Sequence, residues 1–271
     1  MARSFRVEVS RLPAWIDWQR LLGPGGWKVH ENEAGQLSAD ADLSRDAAAD
    51  LAARLRGVGL GGNLIEIRIS PALSRKELRK AHTEEARRYR KGSPGFLRSG
   101  TQLDPEGRIS LTPEALALEL GERAKGLRVI DAFAGAGGNA IGFARAGCSV
   151  TAIELDEARR VMARHNAGVY GVADRIRFIA GDARRVVAEH EADLLFVDPP
   201  WGGRYNKERM TLDDLTPCAE VIESATRIPR IWIKAPPSFD PATLPGCRPE
   251  AWFGVGAGDD RRVKFLLLEK S

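Results

Sequence analysis

The sequence predicts an α/β fold in which a doubly wound, mostly parallel sheet follows a small α+β unit at the start of the chain. From residue 127 onward, apolar strand patterns alternate with helical patterns, which is typical of a parallel sheet. Each of the first four strands ends at or beside a carboxylate, and the chain closes with a strand at 230–234 and an antiparallel pair at 252–255 and 263–268. Such sheets bind ligands outside the carboxyl ends of their strands, so a site is expected at that edge.

Length and composition are those of a folded globular protein. The 271 residues are 43% hydrophobic and 29% charged, which is enough to bury a full core. No apolar run approaches the roughly 18 residues that span a bilayer. Residues 1–10 alternate apolar and charged positions and lack the apolar block of a signal peptide. We therefore expect a cytoplasmic protein that does not enter membranes.

The cysteine content gives no sign of a disulfide framework or a metal site. Cys148, Cys218 and Cys247 are far apart and lack a Cys-x-x-Cys spacing or a neighbouring histidine. Reduced thiols and no bound metal are therefore expected.

Positive charge is concentrated in one segment. Nine Lys or Arg residues lie between Arg75 and Arg98 against three Glu residues, an excess larger than the net charge of +4 for the whole chain. Clustered cations with interleaved aromatic rings suit phosphate contact, so a nucleic acid is the expected partner. The alternative is a solvated helix face that carries intrahelical pairs such as Glu84 with Arg88.

A small α+β domain is predicted over residues 1–73. Strands are expected at 5–10, 27–30 and 64–69, and helices at 15–22 and from the N-cap Ser44 to Arg56. Contact with RNA and a stabilising or oligomerising role both remain open for this domain. A basic helix and linker over 74–108 and the α/β domain over 109–271 complete the predicted division.

A further helix is predicted to begin directly after Thr112. Thr112 is suited to the N-cap, Pro113 to the first helical position and Glu114 to the first turn, and the pattern continues to about Arg123. Local capping is therefore sufficient to explain Thr112.

A glycine-rich loop follows the first strand of the α/β domain. The strand covers 127–133, the loop 134–139, and a helix follows from Ala140. Glycines such as Gly135 and Gly137 let the backbone approach a ligand closely, and the helix start offers free N–H groups. The second strand ends at Glu154, 23 residues after Asp131, close to the offset at which an acid meets ribose hydroxyls. These features predict a nucleoside pocket.

Two later strand ends add further polar groups. Asp182 follows the third strand, where it could accept a hydrogen bond from an adenine amino group or cap the next helix. Asp198 follows the fourth strand and opens the run Asp-Pro-Pro-Trp-Gly-Gly. Prolines fix the directions of the neighbouring carbonyls, and Trp201 offers a face for a planar base, so an exocyclic amine is the expected substrate group. The alternative is an ordinary turn after a core strand.

The pocket could in principle hold NAD or S-adenosylmethionine. The loop lacks the G-x-G-x-x-G spacing of dinucleotide sites, because Ala140 and Ile141 stand where a third glycine would fall. The Asp-Pro-Pro-Trp run has no role in hydride transfer but suits methylation of a planar amine. S-adenosylmethionine is therefore the predicted cofactor.

The chain also resembles a known family, the trimethylguanosine synthase type of RNA guanine-N2 methyltransferases, over roughly residues 87–271. The resemblance rests on Ser-Leu-Thr-Pro-Glu at 110–114, Val-Ile-Asp-Ala-Phe-Ala-Gly-Ala-Gly-Gly-Asn at 129–139, Ala-Arg-His-Asn-Ala-Gly-Val-Tyr-Gly-Val-Ala-Asp at 163–174, and Pro-Pro-Trp-Gly-Gly at 199–203. It implies the seven-stranded class I methyltransferase fold, S-adenosylmethionine as cofactor, and RNA in preference to DNA as partner.

The resemblance also implies roles for individual residues. Asp131 and the loop would hold the methionine part of the cofactor, with Thr112 near its carboxylate. Glu154 would hold the ribose and Asp182 the adenine, while Trp201 would stack on the guanine. The predicted cofactor set is Thr112, Asp131, Ala132, Phe133, Gly135, Gly137, Asn139, Glu154, Leu155, Asp182, Ala183 and Asp198, and the predicted substrate set is Trp201, Arg204 and Tyr205.

The predicted reaction is in-line attack of an exocyclic amine on the sulfonium methyl group. Asp198 and the Pro199 carbonyl would orient the amine, Asp198 would take its proton, and Trp201 would hold the base plane. These three residues are the predicted catalytic set.

The residue before the two prolines leaves alternatives open. Eukaryotic members of the family usually carry Ser there, whereas Asp198 is similar to amino-methyltransferases that act on adenine or on ribosomal guanine. The alternatives are N6 methylation of adenine in RNA or DNA, methylation of protein glutamine, and RNA binding with a vestigial cofactor pocket.

Overall fold

The computed structural model describes residues 4–90, 92–202 and 205–270. It contains a four-stranded antiparallel sheet near the start of the chain and a seven-stranded sheet in the remainder. Within the described ranges, no helix has both the length and the apolar character needed to cross a bilayer.

The N-terminal region has the order βαββαβ, with a short hairpin before its last strand. Its antiparallel sheet has the strand order β2-β3-β1-β6, the arrangement of split βαβ folds. Apolar and polar positions alternate along β1, which places one side of the sheet in the core. The elements are β1 (Phe5–Pro13), α1 (Trp18–Leu22), β2 (Lys28–Glu31), β3 (Gln36–Leu43), α2 (Arg45–Leu55), β4 (Gly59–Leu60), β5 (Asn63–Leu64) and β6 (Glu66–Ser70).

Two features of this region differ from the sequence-based expectation. The first helix begins at Trp18 and not at residue 15, with Asp17 as its N-cap. Strand β3 was not predicted, because its buried positions include the small residues Ala39 and Ala41, which give a weak apolar alternation. The predicted N-cap of α2 is confirmed, since the Ser44 side chain accepts the N–H of Ala47.

The middle of the chain holds three helices: α3 (Arg75–Tyr89), α4 (Gly107–Ser110) and α5 (Glu114–Arg123). Helix α3 starts with a capping box formed by Ser74 and Glu77. The predicted capping role of Thr112 is wrong, because Pro113 is the N-cap of α5 and the Thr112 hydroxyl has no hydrogen-bond partner among the described residues.

The seven-stranded sheet has the order β12-β13-β11-β10-β7-β8-β9, and β13 is antiparallel to both of its neighbours. The other strands run in one direction, so the predicted doubly wound fold is confirmed. Between β10 and β11, a 3₁₀ turn covers Leu212–Asp214 and a short helix begins at Cys218. The elements are β7 (Arg128–Asp131), α6 (Gly138–Arg145), β8 (Ser149–Glu154), α7 (Glu157–Val169), β9 (Ile176–Ala180), α8 (Ala183–Glu189), β10 (Leu194–Val197), α9 (Cys218–Ser224), β11 (Ile231–Ala235), β12 (Cys247–Phe253) and β13 (Val263–Lys270).

The strand order reverses between β7 and β10, and this switch point places the site. Asp131 at the end of β7 lies opposite Phe196 of β10, and Asp198 begins the loop after β10. Because parallel strands share one carboxyl edge, both carboxylates lie at the crevice where doubly wound sheets bind ligands.

Apolar residues cover both faces of the large sheet. On one face, Phe143 of α6 packs edge-to-face on Phe196. On the other, the core of the N-terminal region is continuous with residues of the large sheet such as Leu195 and Ile233. Backbone hydrogen bonds also join the two regions, from the Gly59 N–H to the Lys207 carbonyl at 2.9 Å and from the Gly61 N–H to the Pro237 carbonyl at 2.9 Å.

Candidate active site

Asp131 is fully buried at the switch point. Neither of its carboxylate oxygens has a hydrogen-bond partner among the described residues. Burial and the nearby charge of Asp198 raise the pKa of Asp131 to about 7. The Phe133 backbone N–H acts in the opposite direction, although it does not reach ordinary hydrogen-bond geometry. A buried carboxylate without a partner is costly, so this residue is prepared for a cationic ligand group.

Asp198 lies across the switch point and is engaged on one oxygen. Its Oδ2 accepts the Asn139 Nδ2 at 2.9 Å and the Lys234 Nζ at 2.7 Å. Within the described part of the chain, no donor reaches its Oδ1. The side chain of Lys234 is only 4% exposed and that of Asp198 14%, so the ion pair is shielded from water. The open oxygen is therefore available to a substrate amine.

Trp201 stands beside this ion pair. The Lys234 Nζ is 5.2 Å from the centroid of its ring, and the Tyr205 ring lies 6.4 Å away at an interplanar angle of 19°. Tyr205 is half-exposed, and burial of its hydroxyl raises its pKa. The two predicted substrate residues are thus neighbours, whereas Arg204 lies outside the described residues.

The glycine-rich loop is shaped by two backbone conformations. Gly135 has a φ of +52°, and a Cβ there would meet no atom within 4 Å, so its surface is open to a ligand. Gly137 has a φ of +92° and is the N-cap of α6. The Gly135 N–H donates to Glu154 Oε2 at 2.7 Å, while the Asp156 N–H donates to Oε1 at 2.9 Å. Glu154 therefore fixes the loop against the end of β8.

Several buried polar atoms around this loop lack partners in the described chain. Besides the two Asp131 oxygens, they are the Thr112 hydroxyl, Asn139 Oδ1 and Trp201 Nε1. A methionine moiety offers an ammonium group that would satisfy Asp131 and a carboxylate that could accept the Thr112 hydroxyl. The residues present therefore fit S-adenosylmethionine. Thr112 does not cap a helix, and a ligand carboxylate would give its buried hydroxyl a partner.

Asp182, which follows strand β9, makes more hydrogen bonds than the sequence predicts. Asp182 caps α8 and also accepts the guanidinium of Arg184 on both oxygens. This pairing lowers the pKa of Asp182 to about 2. Its predicted contact with adenine stays a prediction. Leu155 beside it along the sheet edge is 73% exposed, a large apolar side chain available to a base.

Three further residues of the predicted cofactor set follow or begin the same elements, and their contact with a cofactor stays a prediction. Ala132 and Ala183 are buried, and Phe133 is half-buried against the core. Pro199 is buried as well, whereas Pro200 is exposed.

Lys234 contacts Asp198 in this site, although the sequence pattern did not single it out. It lies inside β11, whose Ile233 is the register partner of Val197, so the next residues of the two strands, Lys234 and Asp198, meet. A charged residue within an apolar strand was the available signal, because such a side chain needs a buried partner.

Comparisons with known proteins point to one family. Residues 127–221 match the family model described as RNA cap guanine-N2 methyltransferase. Trimethylguanosine synthase of Schizosaccharomyces pombe is 38% identical over 143 residues, which are 48% of this chain and 59% of that protein. Trimethylguanosine synthase of Saccharomyces cerevisiae is 34% identical over 105 residues, 35% of this chain and 33% of that protein. The chain thus spans less than two thirds of the length of these relatives.

Among solved structures, a methyltransferase from Geobacter sulfurreducens is 18% identical and has a TM-score of 0.42. The match covers 61% of this chain and 82% of that chain.

Proposed function

We propose that this chain methylates the N2 amine of guanine in RNA, because residues 127–221 match the model of the RNA cap guanine-N2 methyltransferase family. The observation that carries this proposal is the geometry of Asp198. Its Oδ2 is held by two donors, and its Oδ1 is open beside Trp201. This arrangement suits an amine on a planar base.

The cofactor of this reaction is S-adenosylmethionine, which supplies an electrophilic methyl group on a sulfonium. Asp131 would bind its ammonium group and Thr112 its carboxylate, since both are buried without partners in the described chain. Glu154 would meet the ribose, and Asp182 with Leu155 the adenine. The open surface above Gly135 supports close approach of the loop to this ligand.

The substrate side is formed by the loop after β10. Trp201 would stack on the guanine, with Tyr205 and Arg204 as further contacts. The open Asp198 oxygen and the Pro199 carbonyl would accept the two N–H groups of the amine and direct its lone pair at the methyl carbon. Most of the rate would come from this alignment, and Asp198 would then receive the proton.

The exposed face of α3 is the proposed RNA-binding surface. The alternative interpretation, a helix face with intrahelical pairs, holds in part. Glu84 lies 3.8 Å from Lys80 at i, i+4 spacing, whereas Arg88 pairs with Asp50 and Glu85 and not with Glu84. Cations that remain exposed and have no acidic partner among the described residues are Arg75, Lys76, Arg79, Arg87 and Arg90. Such a row suits the phosphates of an RNA strand.

Transfer of labelled methyl from S-adenosylmethionine to RNA, DNA and protein fractions tests this proposal. We expect label in RNA, recovered as N2-methylguanosine after nucleoside analysis. Recovery as N6-methyladenosine, or label in protein, would contradict it. A protein that binds the cofactor in calorimetry but labels none of the three fractions would support the binding-only alternative.

Asp198→Ala is the matching variant for the catalytic role. It should lower turnover by about 10²–10⁴-fold, the usual worth of acid–base catalysis, while cofactor affinity changes little. Asp193→Ala is the control, since Asp193 stands at the opposite end of the same strand and pairs with the exposed Arg128. Full activity of Asp198→Ala would reject the assignment.

A further inference from the structure

We propose that Lys234 is a positioning residue for methyl transfer, holding the Asp198 carboxylate with one oxygen engaged and the other directed at the substrate amine. This inference rests on the proposed function. It adds a residue from a different strand to the acceptor side of the site.

The first support is the direction of the contacts. Lys234 Nζ and Asn139 Nδ2 both reach the same oxygen of Asp198, at 2.7 Å and 2.9 Å. They come from β11 and α6, on two sides of the loop that carries Asp198. Two donors from separate elements fix the rotation of the carboxylate, which leaves Oδ1 as the acceptor for a ligand.

The second support is that Lys234 also contacts the base-stacking residue. Its ammonium lies 5.2 Å from the centroid of the Trp201 ring and 5.6 Å from that of Phe265. A cation at this distance from an aromatic face is attracted to it. One ammonium group therefore contacts both Asp198, the acceptor of the amine, and Trp201, the residue that stacks on the base.

The third support is energetic. Desolvating an ion pair offsets much of its attraction, so apolar residues of similar volume would stabilise the same place about as well. Lys234 is nevertheless buried within a strand whose other residues are apolar. Fold stability alone therefore does not account for the pair, whereas fixing an ionised acceptor does.

The charges facing Asp198 explain why a cation is needed. Asp131 faces it from β7, and Lys234 from β11. Asp198 and Glu154 both raise the pKa of Asp131, and Lys234 lowers it. Lys234 therefore offsets the repulsion between two carboxylates that the site needs in ionised form.

In the reaction, the amine nitrogen forms a bond to the methyl carbon as the carbon–sulfur bond breaks and its electron pair remains on sulfur. The nitrogen then carries a positive charge and loses one proton to Asp198 Oδ1. The proton passes from there to water, while Lys234 keeps its own protons throughout.

Lys234→Met tests the inference through the separate values of kcat and KM for methyl transfer to guanine-containing RNA, measured at pH 8.5 with saturating S-adenosylmethionine. At this pH Asp131 is ionised, so the variant reports on the acceptor side of the site. We expect kcat to fall about 10- to 100-fold, while KM for RNA changes less than about threefold. Lys234→Gln keeps a hydrogen-bond donor, so it should retain more kcat than Lys234→Met.

Lys264→Met is the matched control. It breaks another shielded ion pair, in which the Lys264 Nζ lies 3.0 Å from Asp259 Oδ2. Neither residue is hydrogen-bonded to Asp198, whose donors in the described chain are Asn139 and Lys234. The inference is overturned if Lys234→Met keeps the wild-type kcat, or if Lys264→Met lowers kcat equally.

A measurement without substrate separates this inference from the proposed function. In a crystal structure of cofactor-free Lys234→Met, the Asp198 carboxylate should leave the orientation in which one oxygen is engaged and the other is open beside Trp201. An unchanged carboxylate orientation would overturn the role of Lys234 even in an active enzyme. A wild type that labels no guanine, together with a reoriented carboxylate in the variant, would reject the proposed function and leave the pairing intact.

Discussion

The two sides of the switch point are built in opposite ways. On the β7 and β8 side, Asp131 and Thr112 are buried with polar atoms that lack partners in the described chain. On the β10 and β11 side, Asp198 is already paired with a buried lysine. Asp131 on the β7 and β8 side depends on a ligand for a positive counter-charge, whereas Asp198 on the β10 and β11 side has Lys234 as its counter-charge. We call these the cofactor side and the acceptor side. The cofactor side should therefore respond strongly to ligand charge and pH, and the acceptor side to the integrity of its ion pair.

Among the effects on binding, the largest is expected for Asp131→Asn on the cofactor side. Hydrogen bonds to charged groups contribute about 1.5–3 kcal/mol, so affinity for S-adenosylmethionine should fall by up to about 100-fold in calorimetry. Because the substitution removes an unpaired buried charge, the melting temperature of the free protein should stay the same or rise. Asp193→Asn is the control at the far end of the sheet. A lower melting temperature with unchanged affinity would mean that Asp131 is purely structural.

On the acceptor side, Trp201→Ala should weaken binding of a guanine nucleotide by about 1–3 kcal/mol, the worth of one stacked base. Trp201→Phe should retain most of the affinity, because it keeps a flat ring. Cofactor binding should change little in either variant. Equal losses of cofactor and nucleotide affinity would show that the two sides are not separate.

The comparison also predicts a pH dependence that belongs to the cofactor side. The pKa of Asp131 is raised to about 7, so in the free protein the group is mostly protonated at pH 6 and must lose its proton to bind a cation. Affinity for S-adenosylmethionine should increase by roughly eightfold from pH 6 to 7.5 and then level off. In Asp131→Asn this increase should disappear. A profile that is the same in both proteins would assign the titration to another group.

The same raised pKa affects stability with the opposite sign. The unfolded chain loses the Asp131 proton at lower pH than the folded protein, so this group destabilises the free protein progressively as pH rises from about 4 to 7. Bound cofactor should remove the effect, which thermal unfolding with and without ligand can measure.

The smallest expected effect concerns α3, which lies outside both sides of the switch point. Replacing Arg79 and Arg87 together by Ala should lower RNA affinity roughly fivefold at 0.1 M salt. The slope of log affinity against log salt should decrease by about 1 to 2, as expected for two lost phosphate contacts. Lys125→Ala, an exposed cation paired with Glu122, is the control. An unchanged salt slope would mean that RNA binds to a surface other than α3.

The sequence was sufficient for the parts of the fold and site that depend on local order. Alternating strands and helices specify the parallel sheet, and a carboxylate after each strand specifies its position at one edge, as for Asp131 and Asp198. Contacts between residues that are distant in sequence could not be predicted from the sequence. Lys234 meets Asp198 only through the register of β10 and β11.

Local rules also misled where tertiary contacts outweigh them. Thr112 has the composition of an N-cap, yet the chain starts the helix after Pro113 and buries the threonine hydroxyl. Arg88 has a partner at helical spacing in Glu84, but Asp50 of the packed helix α2 and Glu85 compete successfully for it.

The backbone contact between Gly59 and Lys207 limits how this chain can be dissected. The hairpin β4–β5 lies so close to the loop after Trp201 that a Cβ on Gly59 would come within 2.5 Å of the Lys207 carbonyl oxygen. The N-terminal region therefore supports the segment that carries the substrate residues and shares a core with the large sheet. The two parts of the chain are not interchangeable modules: a version trimmed to the catalytic half would lose the support behind its substrate loop and expose apolar surface.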